Sequence, residues 1–247
     1  MPASELAPPF TPPSQLADAL RTQGYAVLSP ESLAALAHTS PDELQAMRAD
    51  WDNLPPDRFL KDNGRYRRRR HSSFIVQEDE VKQVPHRGHW QPVEYNALHG
   101  GMLRMFEPME PATVALPVWP RLLSALGSLF SSIKGAQPWY VESHQFRIDT
   151  TDGIGRPTPE GAHRDGVDFV AILFVGRANI KGGESRVFDA AGPFGQRFTL
   201  SEPWTLLLLD DERVVHETTP VQPTGDAPGY RDTLVLTFRA KGFQEKA

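Results

Sequence analysis

Two histidines and one aspartate in the second half of the chain have the residue types and spacing of a metal site. His163 and Asp165 are two residues apart, so their side chains share one face of a strand or turn. His216 supplies a second imidazole from a distant segment. Two imidazoles and one carboxylate form a facial triad, which binds Fe(II) on one side and leaves the other positions open. We therefore predict that His163, Asp165 and His216 bind iron at the catalytic centre.

An arginine and a threonine on a later strand offer a binding group for a carboxylate. Arg231 lies 15 residues after His216, and its guanidinium presents a fixed fork of donors. Thr233 follows on the same strand face and adds a hydroxyl. Together with the triad, this anchor indicates an oxygenase that uses Fe(II), O2 and 2-oxoglutarate. Arg231 and Thr233 would hold the far carboxylate of 2-oxoglutarate.

Two other classes of protein are compatible with the same residues. Histidine and carboxylate ligands also suit a three-ligand zinc site in a hydrolase. Hydrolysis has no use for a dicarboxylate anchor, so Arg231 and Thr233 favour iron. The second alternative is a non-catalytic, cupin-like barrel that binds a small molecule, although such a protein normally has more histidine ligands than we can place here.

One further strand, over residues 139–148, carries two more candidate binding residues. His144 has the parity of Glu142 and Phe146, whereas Arg147 has the opposite parity, and one of these sets should line the interior. We predict that His144 or Arg147 contacts the co-substrate or the substrate. The histidines expected at surface or loop positions are His38, His71, His86, His89 and His99.

Capping residues and apolar spacing predict helices in the N-terminal half. Ser14 is the predicted N-cap of the first helix, and Gly24 ends it. Ser40 begins a capping box in which proline takes the first helical position. The predicted helices cover residues 14–24, 29–36, 40–51 and 117–133.

From residue 139 onward the pattern has period two and predicts seven short strands. Short connections between strands favour an antiparallel sandwich or barrel over βαβ units. We predict a mainly β fold with flanking helices, in which a jelly-roll core rests on an N-terminal helical support. Residues 1–13 are predicted to form a flexible arm and residues 14–247 a single domain. Within this domain, residues 14–135 form a helical and mixed half, and residues 136–240 form the catalytic β core.

Composition excludes several kinds of chemistry and partner. The chain has no cysteine, which removes disulfides, thiolate nucleophiles and iron–sulfur ligation. A net charge of -5 gives no general attraction to nucleic acid or acidic membranes. Neither a membrane-spanning apolar run nor a secretory signal is visible. We expect a cytoplasmic protein that acts on a small molecule, with a homodimer as one option for its assembly.

The basic run at residues 65–70 is a local exception to the acidic composition. On a strand, alternate arginines point inward and outward. Inward arginines near the iron can hold an acidic group of a substrate, while the others form a solvated face paired with acidic residues. A nucleic-acid patch is the alternative, and the acidic surroundings disfavour it.

Seven segments of the chain resemble the bacterial 2-oxoglutarate/iron dioxygenase family that contains isoleucine dioxygenase. The resemblance spans about residues 50–240. The segments are LKDNGRYRRRRHSSF, EYNALHGGMLRMFEP, VESHQFRI, GAHRDGVDFVAILFVGR, GGESRVFD, HETTPV and YRDTLVLTF. The resemblance implies a double-stranded β-helix core. It also implies that His163, Asp165 and His216 bind iron and that Arg231 anchors 2-oxoglutarate.

The same resemblance implies a substrate class. Members of the family hydroxylate an aliphatic C–H bond of a free L-amino acid such as isoleucine, leucine or methionine, and they release succinate and CO2. A free amino acid has a carboxylate and an ammonium group to hold. The basic candidates for the carboxylate are residues 65–70 and Arg104, and the acidic candidates for the ammonium group are Glu107 and Asp149.

Overall fold

Within residues 6–62, 64–96, 98 and 100–246, which the computed structural model describes, the chain forms five α-helices and twelve strands. The helices are α1 (Leu16–Gln23), α2 (Pro30–Leu36), α3 (Pro41–Gln45), α4 (Pro111–Val114) and α5 (Val118–Lys134). The strands are β1 (Tyr25–Leu28), β2 (Arg67–Gln77), β3 (Glu80–Gln83), β4 (Trp139–Asp149), β5 (Phe169–Ala178), β6 (Ile180–Gly182), β7 (Glu184–Asp189), β8 (Gly195–Thr199), β9 (Leu206–Asp210), β10 (Val214–Thr218), β11 (Val221–Pro223) and β12 (Tyr230–Arg239).

The ends of the short N-terminal helices follow their capping residues. Ser40 and Glu43 form the predicted capping box at α3, and Gly24 ends α1 with a left-handed φ of 80°. The prediction that Ser14 caps α1 was wrong. Ser14 lies inside a 3₁₀ turn, Pro13–Gln15, because the preceding prolines already fix the chain there, and α1 starts at Leu16. After α3 the chain continues as a 3₁₀ helix, Ala46–Asn53, instead of the predicted α-helix.

A seven-stranded antiparallel sheet dominates the fold, with the strand order β1-β9-β5-β12-β4-β2-β3. A smaller sheet has the order β10-β7-β8, and β6 pairs with β11. Valine, leucine and phenylalanine side chains from both sheets, such as Phe174 and Phe198, share one buried cluster. The two sheets therefore face each other, and the predicted mainly β fold with flanking helices is confirmed.

The other face of the large sheet packs against the helices. Leu20 of α1 and Phe130 of α5 are fully buried in one cluster with Leu234, Leu236 and Phe238 of β12. Burial of this much apolar surface is the main stabilising contribution to the domain. Even α5, the longest helix in the described ranges, is not long and apolar enough to cross a membrane, and neither is any other helix there.

The inner face of the large sheet changes from apolar to polar towards β2. Register fixes this change, because paired residues on β2, β4 and β12 point to the same face. From one end of the sheet to the other, the inward rows are Arg67, Ile148 and Arg231; Arg69, Phe146 and Thr233; His71, His144 and Val235; and Ser73, Glu142 and Thr237. The polar rows border the space between the two sheets.

Part of the predicted N-terminal arm lies along the domain. The backbone N–H of Thr11 donates to the carbonyl of Val27 at 2.7 Å, and the carbonyl of Leu6 accepts from the N–H of Thr199 at 2.9 Å. Residues 6–13 therefore run beside β1 towards β8. Residues 1–5 of the predicted arm lie outside the described residues.

Candidate active site

A cavity between the two sheets contains most of the predicted site residues. The space between its walls, together with the part that opens to solvent, is about 930 Å³. The predicted site residues on its wall are His163, Asp165, His216, Arg231, Thr233 and His144. Six side chains that the sequence analysis selected therefore border one cavity, although they come from β4, β10, β12 and the loop before β5.

The three predicted metal ligands converge at one end of the cavity. His163 and His216 form an antiparallel bridge, with N–H to carbonyl distances of 3.0 and 2.9 Å. The two oxygens of Asp165 lie 3.8 Å from Nε2 of His163 and 3.8 Å from Nε2 of His216. One ligand atom from each residue lies within 4.8 Å of the others. This arrangement fits a single metal ion bound by three protein ligands on one side.

The surroundings of the two imidazoles suit a bound cation. Nδ1 of His163 lies 3.0 Å from the carbonyl of Gly161, so it donates a proton there and leaves the lone pair on Nε2 facing Asp165. Burial lowers the pKa of His163, but Asp165 and Glu160 outweigh it and raise that pKa. Burial lowers the pKa of His216 to about 4, which keeps this ring neutral. A cation can replace the proton that the carboxylates attract to His163.

Asp211, which the sequence analysis did not identify, holds the loop that carries Asp165. Its carboxylate accepts hydrogen bonds from the backbone N–H groups of Asp165, Gly166 and Val167, at 2.8 to 3.1 Å. Burial, followed by the charge of Asp165, raises the pKa of Asp211 to about 7. Three donors on one carboxylate fix the direction of the Asp165 side chain.

We predict that Asp211→Asn weakens metal binding about 10- to 100-fold, because the amide presents an NH2 group to backbone donors that need an acceptor. Titration of the anaerobic protein with Fe(II) measures the effect. Asp189→Asn is the matched control, since Asp189 also accepts a backbone N–H, that of Ala191, but is exposed at the end of β7 and does not border the cavity. Equal metal affinity in both variants would show that Asp211 does not support the site.

Arg231 has the environment expected of a carboxylate anchor. Its side chain is buried, and Nε and Nη2 have no hydrogen-bond partner among the described residues. Burial lowers the pKa of Arg231 to about 10, so the group stays charged near neutral pH. Gly183, with φ of 74°, backs the side chain so closely that an added Cβ would lie 3.3 Å from its Cδ. Unsatisfied buried donors are costly, and a bound carboxylate would satisfy them.

Three buried arginines form a second basic wall of the cavity, called the arginine wall below. It consists of Arg67, Arg69 and Arg104. The outward residues of the same strand behave as expected for a solvated face, because Arg68 pairs with Asp149 at 3.4 Å and Arg70 with Glu110 at 2.6 Å. The alternation predicted for the basic run is confirmed, and its inward members face the cavity.

Two histidines lie in the interior, contrary to prediction. His71 is fully buried on β2, and His89 is 5% exposed, so their assignment to the surface or to solvated loops was wrong. The missed signal for His71 was its parity with Arg67 and Arg69. His38 and His86 are exposed as predicted, and His99 lies outside the described residues.

Glu142 organises these interior histidines. Its carboxylate lies 3.2 Å from Nε2 of His71 and 3.1 Å from Nδ1 of His89, and it also accepts from Arg87 at 3.4 Å. Burial raises the pKa of Glu142, but the two histidines outweigh it and hold the pKa well below its usual range. With His144, this cluster has the residue types of a metal site as well.

Arg147 does not lie in the cavity, and its proposed contact with co-substrate or substrate is not supported. It extends from the helix-facing side of β4, where it donates to Asp232 at 2.8 and 2.7 Å and to Asp52 at 3.0 Å. Its partner Asp232 is fully buried. The alternation along β4 separates Arg147 from His144, so only His144 reaches the cavity.

We predict that Arg147→Gln lowers the free energy of unfolding by about 2 kcal/mol, because it removes charged hydrogen bonds to a buried carboxylate. Burial already raises the pKa of Asp232 to about 6. Above that pH the unpaired carboxylate is charged and costly, so the loss is larger at pH 8 than at pH 5. Urea unfolding at both pH values measures it. An unchanged stability with a raised KM for 2-oxoglutarate would instead assign Arg147 to the site.

The carboxylates proposed for an ammonium group differ from those that border the cavity. Glu107 is exposed, and Asp149 pairs with Arg68 on the outer side. Among the described residues, the cavity carboxylates are Glu142, Glu160 and Asp165. One oxygen of Glu160 is buried without a hydrogen-bond partner in the part of the chain that the structure describes.

Comparison with known proteins agrees with this geometry. The family described as 2OG-Fe dioxygenase matches residues 48–237, a range that includes the triad and Arg231. The L-isoleucine-4-hydroxylase of Bacillus thuringiensis is 24% identical over 207 residues, which cover 80% of this chain and 83% of that protein.

Two solved structures share the fold over nearly the whole chain. A bsmA homologue from Methylobium petroleophilum PM1 is 52% identical, covers 98% of both chains and has a TM-score of 0.92. The structure of IDO from Bacillus thuringiensis is 18% identical, the match covers 93% of this chain and 100% of that chain, and the TM-score is 0.75. At that identity the second likeness concerns the fold alone, and it agrees with the predicted jelly-roll core.

Proposed function

The chain belongs to the family of 2OG-Fe dioxygenases, and on this premise we propose that it hydroxylates an aliphatic C–H bond of a free L-amino acid. Enzymes of this family use Fe(II), 2-oxoglutarate and O2. Isoleucine, leucine and methionine are the proposed substrates. The observation that carries the proposal is the buried Arg231, whose unsatisfied donors lie on the same cavity as the His163, Asp165 and His216 triad.

We propose that each residue of the site has one task. His163, Asp165 and His216 hold Fe(II), and Asp211 fixes the loop of Asp165. Arg231 and Thr233 hold the far carboxylate of 2-oxoglutarate, which places the opposite end of that molecule towards the triad. When bound, Fe(II) and 2-oxoglutarate supply the oxidising chemistry that converts O2 and a C–H bond into an alcohol, with succinate and CO2 as the other products.

The remaining side chains of the cavity suit the positioning of the substrate. Val235 and Ile172 give the cavity apolar surface, which suits an aliphatic side chain. Arginines and carboxylates on the same cavity suit the two charged groups of a free amino acid. The similarity to L-isoleucine-4-hydroxylase supports this substrate class.

The test is succinate formation by the anaerobically purified, Fe(II)-loaded protein with each of the common L-amino acids, after O2 is admitted. The expected result is stimulation by an aliphatic amino acid and a product that is one oxygen atom heavier. Stimulation by none of them, with 2-oxoglutarate still bound, would refute the substrate class but leave the family chemistry in place. A cytoplasmic location and a homodimer stay predictions.

A further inference from the structure

The arginine wall carries hydrogen-bond donors that the protein itself does not use. Nε of Arg69, Nε of Arg104 and Nη2 of Arg67 are buried and have no partner among the described residues. Each of these side chains borders the cavity. A buried guanidinium with unsatisfied donors is costly, and an anion supplied from the cavity would relieve that cost.

The guanidinium of Arg69 is held in a fixed orientation. It lies 3.8 Å from the centre of the Phe106 ring and 4.4 Å from that of Phe146. Its Nη2 donates to Nδ1 of His144 at 2.7 Å. Stacking on two rings and one hydrogen bond leave little rotational freedom, so the fork of donors is organised before any ligand arrives.

Asp57 is the carboxylate that pairs directly with the arginine wall. Arg67 pairs with Asp57 at 2.7 Å, and Arg69 lies 3.9 Å from the same carboxylate. Glu142, the other buried carboxylate nearby, is engaged by His71, His89 and Arg87, while Arg104 adds a third positive group to the wall. Arg67 and Arg69 therefore share one carboxylate, and the unsatisfied donors of the wall remain for an anionic group from the cavity.

The wall is separate from the anchor proposed for 2-oxoglutarate. Arg69 on β2 and Thr233 on β12 belong to the same inward row, with Phe146 of β4 between them. Two strand spacings separate their backbones by about 10 Å. The arginine wall can therefore bind a second ligand while Arg231 binds 2-oxoglutarate.

A short hydrogen-bonded path links the wall to a predicted metal ligand. Arg104 donates to Oε1 of Gln91 at 2.9 Å, and Nε2 of Gln91 donates to Asp165 at 3.2 Å. One amide side chain thus separates the wall from the triad. A ligand that reaches from the wall to the triad must be small.

The same region also resembles a metal site, but its charges oppose a cation. His71, His89, His144 and Glu142 have ligand atoms within 4.8 Å of one another. Burial lowers the pKa of each histidine, that of His71 to about 4, so the rings are neutral. However, Nδ1 of His144 already accepts from Arg69, and a dication there would face the three guanidinium groups of the wall.

We propose that Arg69 and Arg104 form a subsite for one carboxylate of the substrate, at the opposite side of the cavity from Arg231. This inference rests on the proposed function and narrows it. The substrate must carry an anionic group close to the carbon that reacts, as a free amino acid does and an internal peptide residue does not.

The experiment is calorimetric titration of the anaerobic protein, loaded with Fe(II) and 2-oxoglutarate, with three probes of one carbon skeleton. They are L-isoleucine, 3-methylpentanoate, which lacks the amine, and 2-methylbutylamine, which lacks the carboxylate. We expect L-isoleucine and 3-methylpentanoate, which both carry a carboxylate, to bind about 100-fold more tightly than 2-methylbutylamine. The reason is that a carboxylate makes charge-assisted hydrogen bonds with the arginines. The subsite would be overturned if all three probes bound with equal affinity, or if neither L-isoleucine nor 3-methylpentanoate bound.

Variants test the same claim at the level of the residues. Arg69→Gln and Arg104→Gln should each weaken binding of 3-methylpentanoate at least tenfold. Arg68→Gln is the matched control, because Arg68 is the outward neighbour on β2 and should not change affinity. If Arg69→Gln does not fold, the Arg104→Gln variant and the comparison of the three probes still test the carboxylate subsite. If wild type bound two metal ions per chain and His89→Gln bound one, the cluster around Glu142 would be a metal site. That result would contradict the carboxylate subsite.

The two proposals fail in different ways. Loss of 3-methylpentanoate binding in Arg69→Gln, without succinate formation from any amino acid, would keep the anion subsite and refute the amino acid hydroxylase. Succinate formation from an amino acid whose KM is the same in wild type, Arg69→Gln and Arg104→Gln would keep the function and refute the subsite.

Discussion

Asp165→Ala is expected to abolish succinate formation and to remove stoichiometric Fe(II) binding. Asp165 is the single carboxylate of the triad, and each of its oxygens faces one histidine nitrogen at 3.8 Å. Without it, two neutral imidazoles remain, and they neither balance the charge of the ion nor complete a facial site. We expect activity to fall at least about 1,000-fold, to the background of free iron, because the chemistry depends on the metal.

Metal analysis after gel filtration and a succinate assay measure this prediction together. Asp226→Ala is the control, because Asp226 is exposed in the loop before β12 and should leave both quantities unchanged. His163→Ala should behave like Asp165→Ala, since its Nε2 is oriented towards the same point by the Gly161 carbonyl. Full activity in either triad variant would disprove the assignment of the metal centre.

Arg231→Gln is expected to raise the KM for 2-oxoglutarate about 100-fold. The substitution replaces a fixed fork of donors by one neutral amide, so about two charge-assisted hydrogen bonds to the far carboxylate are lost. Fe(II) affinity should change little, because Arg231 does not belong to the triad. Steady-state kinetics with varied 2-oxoglutarate, together with a metal titration, separate these two effects.

The control for this variant is Arg239→Gln at the end of the same strand, where the side chain donates to the carbonyl of Gly242. Its KM should equal that of the wild type. A 2-oxoglutarate KM that is unchanged in Arg231→Gln would remove the main support for the co-substrate site.

Residue type and alternation were sufficient to predict the centre of the cavity. His163 and Asp165 share a face by their spacing, and Arg231 and Thr233 do so by the period of a strand. The same rule divides the basic run of β2 into inward and outward arginines. These predictions need only local geometry, which the sequence contains.

Contacts between distant loops could not be predicted in the same way. Asp211 reaches the loop of Asp165 from the end of β9, and Gln91 reaches Asp165 from an irregular segment. No periodicity marks either residue, because their roles arise only when the strands have assembled. Arg147 was selected by its residue type alone. The sequence analysis had left open which face of β4 borders the cavity, and Arg147 lies on the other face.

The most direct test of the central claim is the reaction with labelled dioxygen in ordinary water, followed by mass spectrometry of both products. The wild-type protein with Fe(II), 2-oxoglutarate and an aliphatic L-amino acid should give succinate with one labelled oxygen atom and a hydroxylated amino acid with the other. Both labels should be absent in Asp165→Ala. Products that carry oxygen from water alone, or a reaction that proceeds without dioxygen, would contradict the assignment of this site to 2-oxoglutarate-dependent hydroxylation.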